Sequence, residues 1–321
     1  MERALSMVWA TVLAGGSGRR LAEVTGGVPK QYWRLARGCT LLENTLGRIA
    51  PVVPPAQTVV VVDRTHEPYL EDLKRSRRAQ LVYQPCDRGT AAGVLFGLMP
   101  ALESASDPVV LLTPSDHGVV DTCEFRSTIR DALACVASDC RRIVLFGAEP
   151  SEANADYGWI SPDVASLEGD TSGCWPVASF VEKPTPELAE KLLATSAVWN
   201  TMVVVAHTSA LVDLYRRHLP DLMSVFRRAQ CMPSDACGAF LGQQYPDLPM
   251  VDFCRDLLMP AEGLWVRMWP AALGWSDLGT PARFRRWIVN AQRLERGPVR
   301  IPAPPAGTDA RIIATPAGVT S

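Results

Sequence analysis

Apolar and β-branched residues in this chain gather into short, nearly unbroken runs, at residues 8–13, 58–62, 109–112, 143–146, 178–181, 202–205 and 264–268. Continuous rather than alternating runs of this length predict strands buried on both faces. Between them the spacing becomes helical. Over 40–49, Leu42, Leu46 and Ile49 share one face, and Thr40 with Glu43 three residues on forms a capping box. Residues 186–194, 209–218 and 281–293 read the same way, the last with Thr280 as N-cap and Pro281 at the first helical position. Strand and helix in alternation predict an α/β protein with a Rossmann-like, mixed but mostly parallel sheet carrying helices on both faces. No internal repeat interrupts residues 1–297, which are expected to form one domain. Residues 298–321 turn to Pro, Ala, Gly and Thr and are expected to be a flexible tail.

Composition narrows the partners. The 321 residues are 47% hydrophobic, enough for a large core, and carry a formal charge of −2 with no run of five or more like charges. That balance gives no footprint for nucleic acid or an anionic membrane and favours small molecules. Nine scattered cysteines without a CxxC pair read as reduced thiols in a cytoplasmic protein. Neither a secretory leader nor a membrane span is expected, since no h-region follows Met1-Glu2-Arg3 and no apolar run approaches spanning length.

The first strand runs into Leu13-Ala14-Gly15-Gly16-Ser17-Gly18-Arg19-Arg20-Leu21, and Pro29-Lys30-Gln31 follows. Backbone amides left bare by glycine can close around phosphate oxygens, with the cations neutralising the remaining charge. The spacing is neither that of GxxxxGK[ST] nor that of GxGxxG. A nucleoside phosphate is nevertheless the expected guest.

These two segments together resemble the signature of sugar-1-phosphate nucleotidyltransferases, above all the mannose-1-phosphate guanylyltransferases. Further matches follow in family order: residues 84–93 from Gln84 to Gly93, Pro114-Ser115-Asp116-His117, Tyr157-Gly158-Trp159-Ile160, Phe180-Val181-Glu182-Lys183-Pro184, Trp199-Asn200-Thr201 and Trp275-Ser276-Asp277-Leu278-Gly279. The resemblance implies the nucleotide-diphospho-sugar transferase (GT-A-like) fold. The reaction implied is attack by a sugar 1-phosphate on the α-phosphorus of a nucleoside triphosphate, with pyrophosphate leaving. GTP and mannose 1-phosphate are the expected pair, giving GDP-mannose. The alternatives are a thymidylyl- or uridylyltransferase for a glucose-type phosphate, and a silent nucleotide-sugar-binding protein. The implied arrangement also admits a homodimer.

By the same resemblance Arg20 and Lys30 hold the triphosphate beside the loop of Leu13, Ala14, Gly15, Gly16, Ser17, Gly18 and Arg19. Gln84, Arg88, Gly89 and Thr90 face the base. Lys183 binds the sugar phosphate, while Tyr157, Gly158, Glu182 and Asn200 line the sugar. Asp116 and Asp277 each follow a strand or apolar run, at the end where an open α/β sheet lines its ligand crevice. Two carboxylates meeting there suit Mg²⁺ (or Mn²⁺) completed by phosphate oxygens. Arg19 stands where the family usually has threonine. Gly89, where many relatives have asparagine, is expected to let the backbone approach the nucleobase. Trp199 and Trp275 are expected to pack, and His66, His117, His207 and His218 show no ligand spacing.

Overall fold

The computed structural model of the chain describes residues 8–18, 21–35, 38–104, 106–165 and 173–295. Its strands are β1 (Val8–Ala14), β2 (Thr58–Asp63), β3 (Gln80–Gln84), β4 (Val109–Pro114), β5 (Ile143–Ala148), β6 (Trp159–Pro162), β7 (Cys174–Val181), β8 (Val198–His207) and β9 (Leu264–Trp269). Its α-helices are α1 (Ala22–Thr25), α2 (Leu41–Ile49), α3 (Glu71–Ser76), α4 (Gly89–Leu102), α5 (Thr122–Ser138), α6 (Pro186–Leu193), α7 (Thr208–His218), α8 (Pro220–Gln230), α9 (Ser234–Gln244) and α10 (Pro281–Glu295). All seven expected strands and all four expected helices are there. The expected tail at 298–321 lies outside the described residues.

The strands form one sheet in the order β3-β2-β1-β4-β8-β5-β9-β7-β6. The expectation of a mostly parallel sheet holds in one half and fails in the other. β3, β2, β1 and β4 are parallel, but β8 enters antiparallel between β4 and β5, and β6 and β7 also pair antiparallel. A continuous apolar run reports burial on both faces and nothing about direction.

Alternate residues of β1 divide between two cores. Val8, Ala10, Val12 and Ala14 join residues of α2 and α5 on one face, while Trp9 and Leu13 pack with α4, α7 and α8 on the other. The capping box opens α2 as expected: the Thr40 side chain accepts from the Glu43 amide, and the Glu43 carboxylate accepts from the Thr40 amide. Helix α4 lies against the sheet at Gly97, whose carbonyl accepts from the Thr11 hydroxyl at 3.2 Å. A Cβ on Gly97 would stand 2.5 Å from methyls of both Thr11 and Val61. Parallel pairing of Leu13 with Pro114 sets the carboxyl ends of β1 and β4 side by side, so the glycine turn and the Asp116 turn emerge together. No helix among the described residues is long and apolar enough to cross a membrane.

Gly97→Val should force α4 off the sheet and cost about 1–3 kcal/mol by overpacking. Urea denaturation checks this; an unchanged midpoint would contradict the close helix–sheet approach.

Candidate active site

The glycine turn is built from below by the 3₁₀ turn Lys30–Tyr32. The Gln31 side-chain amide donates to the carbonyls of Ala14 and Gly16, both at 2.8 Å, and the Tyr32 hydroxyl donates to Ala14 at 3.3 Å. Gly16 and Ser17 lie exposed. Gly18 has φ +64°, and a Cβ there would sit 2.7 Å from the Lys30 amide. A side chain at that position would therefore displace the lysine. Arg19 and Arg20 lie outside the described residues.

Lys30 is buried, and its position explains why a cation can be. Its ammonium lies 2.9 Å from Asp116 Oδ2 and donates to the Asp277 carbonyl at 2.5 Å. The segments carrying those aspartates are clipped together by reciprocal backbone hydrogen bonds between Gly118 and Ser276, at 2.8 and 3.0 Å. Burial pushes the Asp116 carboxyl up, but the Lys30 charge and hydrogen bond more than offset it, so the group lies below the usual carboxylate range. Burial drives the neighbouring His117 down to about 4. Its Nδ1 accepts from the Trp275 indole at 3.3 Å, which matches a neutral ring. His117 thus shapes the turn.

The Asp277 side chain points into a second network. Its Oδ1 accepts from the Tyr157 hydroxyl at 2.7 Å and the Gly279 amide at 3.1 Å, and lies 3.3 Å from Arg283 Nε. The Arg283 guanidinium lies 4.9 Å from the Tyr157 ring centroid. Trp199 packs against Tyr157 and Trp159, with Trp275 beside Tyr157, so both tryptophans are packing residues as expected. The donor set fits a hard cation that takes most of its oxygens elsewhere. Asp116 offers one oxygen away from Lys30, Asp277 retains Oδ2, and no group of three or more His, Cys, Asp or Glu among the described residues surrounds them.

At the third segment Glu182, Gly158 and Asn200 converge. Asn200 donates its backbone amide to the Gly158 carbonyl at 2.8 Å. A Cβ on Gly158 would lie 2.5 Å from Glu182 Oε2, an oxygen that is buried without a hydrogen-bond partner. Burial, helped by Asp252, raises the Glu182 carboxyl above its ordinary range against the pull of Lys183 and Arg255. The Asn200 side chain is held at both ends, its Oδ1 accepting from the Met202 amide and its Nδ2 donating to Cys254 Sγ. Lys183 has a 66% exposed side chain, with its ammonium 3.8 Å from Glu182 Oε1. Lys183, Met202 and Leu278 are non-glycine residues in the left-handed region, with φ +49°, +60° and +51°. Each adjoins a site residue, where such strain tends to collect.

Gln84 lies between Gly15 and Gly93 and donates to the Tyr245 hydroxyl at 2.6 Å. Arg88 donates to the Pro246 carbonyl, and Thr90 to Asp252 at 3.2 Å. Gly89 has a reason to be glycine within the chain itself. It has φ +82°, and the space a side chain would fill is taken by the Val251 backbone. The missing side chain makes room for a crossing chain. Four contributors escaped the sequence reading: Tyr245, Val251, Asp252 and Arg283. An Asp followed by Phe253 and Cys254, capping the turn Phe253–Leu258, was the one local signal for Asp252.

A glycine turn after β1, an aimed lysine, and an aspartate turn after β4 clipped to a second one beyond β9 are gathered at one place in an α/β protein, where open sheets of this kind line their ligand crevice. The chain belongs to the nucleotidyl transferase family, whose description matches residues 9–293. It is 25% identical to the mannose-1-phosphate guanylyltransferase of Escherichia coli over 309 residues, 91% of this chain and 62% of that protein. It is 28% identical to the xanthan biosynthesis protein XanB of Xanthomonas campestris pv. campestris over 229 residues, 70% of this chain and 47% of that one. The chain thus spans less than two-thirds of these curated relatives. A crystal structure of mannose-1-phosphate geranyltransferase from Thermus thermophilus superposes with a TM-score of 0.75 at 29% identity, covering 88% of this chain and 79% of that one.

Because the folded pKa of Glu182 is raised, its ionisation costs stability above that pKa and nothing below the usual carboxylate range. Glu182→Gln should therefore raise Tm near neutral pH, the gain fading as pH falls toward about 4. A loss of Tm across the whole series would refute a stability cost of ionising Glu182.

Proposed function

We propose that the chain joins a sugar 1-phosphate to a nucleotidyl group, with GTP and mannose 1-phosphate as the preferred pair. The observation that carries this reading is Lys30. A buried ammonium beside the glycine turn is already oriented by Asp116 and the Asp277 carbonyl, where a triphosphate would need charge neutralised. A phosphate oxygen of the sugar phosphate attacks the α-phosphorus, the α–β bridging bond breaks, and pyrophosphate departs. Two polyanions must approach, so positioning and charge dominate.

The lysines divide the work by exposure. Lys30, at 9% side-chain exposure, is preorganised for the triphosphate beside the loop amides, a charge that Arg20 would share in neutralising, whereas Lys183, at 66%, is free to close on the incoming sugar phosphate. Glu182 supplies an acceptor and Asn200 a constrained amide for sugar hydroxyls, next to the Gly158 backbone. Asp116, with the remaining oxygen of Asp277, would hold a Mg²⁺ ion, which when bound neutralises charge on the departing pyrophosphate.

For the base, guanine offers N1–H and N2–H donors and needs buried acceptors. Gln84 supports it: its Nε2 is committed to Tyr245, and its Oε1 lies 2.9 Å from where a Gly15 Cβ would be, beside the turn. A site with a fixed buried acceptor rejects a base that leaves it unpaired. The relatives named for mannose 1-phosphate support the sugar.

The deciding measurement is pyrophosphate release from GTP, dTTP, UTP, ATP and CTP, each with mannose 1-phosphate and glucose 1-phosphate. Preference for dTTP or UTP with glucose 1-phosphate would overturn the substrate pair and keep the reaction; no turnover in any combination would leave a silent binding protein. In the active pair, Asp116→Asn should lower kcat by about 10² or more, and chelation should abolish turnover. Lys183→Ala should chiefly raise KM for the sugar phosphate, at a cost of about 2–4 kcal/mol, and Lys30→Ala should chiefly damage use of the triphosphate. Swapped effects would reverse the placement of the two phosphates.

A further inference from the structure

Arg48 lies on α2, 5% exposed, with its guanidinium 4.9 Å from the Phe125 ring centroid and no carboxylate within 4 Å among the described residues. Burial lowers its pKa to about 10. As a device for stability this is poor, since an unpaired cation removed from water costs more than an apolar side chain of the same size. What the guanidinium touches is the turn that carries Asp116. Nη1 donates to the His117 carbonyl at 3.4 Å. Nη2 donates to the Thr45 hydroxyl at 3.2 Å, and that hydroxyl donates onward to the Ser115 carbonyl at 3.1 Å. The carbonyls on either side of Asp116 are therefore held from one guanidinium, one directly and one through Thr45.

We propose that Arg48 is a positioning residue: by gripping the peptide groups flanking Asp116 it keeps that carboxylate facing Lys30 and the phosphate site. This rests on the nucleotidyl-transfer reading above. The turn is already fixed on its open sides, by the Ser115 amide on the Leu13 carbonyl and by Gly118 on Ser276. Arg48 with Thr45 closes the remaining side, beneath the aspartate. The task needs a fork. A lysine ammonium at the end of a single stem reaches one of the two acceptors, while the planar guanidinium sends two nitrogens in diverging directions.

The role has a signature that a purely structural residue would not show. Arg48→Met removes a buried charge, so Tm should hold or rise, while kcat falls about 20-fold and both KM values stay within about threefold. On an Asp116→Asn background the same change should cost less than about twofold more, because both act through one carboxylate. Arg48→Lys should give an intermediate kcat, and it decides the matter if Arg48→Met does not fold. Hydrogen exchange adds a readout independent of turnover: amides of residues 115–118 should exchange about tenfold faster in Arg48→Met, with those of α5 unchanged. An unchanged kcat, full additivity with Asp116→Asn, or a lower Tm without faster exchange at 115–118 would overturn the role. Absence of turnover in the wild type would count against the nucleotidyl-transfer reading alone, and the exchange measurement would then judge Arg48.

Discussion

The Lys30 ammonium, held between the Asp116 carboxylate and the Asp277 carbonyl, joins parts of the chain that are remote in sequence. Its partners lie on turns that leave the protein at different points and return to one place through the sheet order and the Gly118–Ser276 clip. A buried cation without such partners would cost several kcal/mol. With them it is ready to meet a polyanion, and the same requirement explains the surroundings. Gly18 has no side chain because the lysine backbone stands where one would go. Gln31 holds the glycine turn from the same 3₁₀ segment that aims Lys30.

Much of this was legible in the sequence because it is local. Unbroken apolar runs located seven strands, and Thr40 with Glu43 marked the start of α2. The glycine turn and Lys30 stand close together in the chain, so their chemistry could be read as a unit. Two short strands were not legible. β3, Gln80–Gln84, keeps polar residues at its two ends and is only partly covered along most of its length, so no apolar run announced it. β6 is four residues long. Strand direction was also hidden, since β8 packs on both faces as a parallel strand would.

The parts of the site that escaped are those whose meaning arises through contact. Arg283 resembles any arginine in the first turn of a helix until Tyr157 and Asp277 are placed beside it. Asp252 reads as a helix cap, which it is, while also accepting from Thr90 across the base-facing segment. Gly89 has a packing reason that only contact reveals. A glycine invites a ligand in the sequence, yet the neighbour that excludes a Cβ is the Val251 backbone. Tertiary packing, rather than propensity, decided each of these.

The placement of β8 also bears on how the molecule is made. It lies between β4 and β5, although both precede it in the chain, so neither has its neighbour until residues 198–207 are available. A nascent chain that has released β1 to β4 can pair those four strands and bury α4 against them, but the inner edge of β4 stays open, with its amides and carbonyls unmatched. β4 and β5 are buried along their whole lengths in the finished sheet, so that temporary edge is also apolar. In synthesis from the N-terminus, the half bearing the glycine turn therefore has no strand to seal β4 until residues 198–207 emerge, and β8 is the strand that covers that edge.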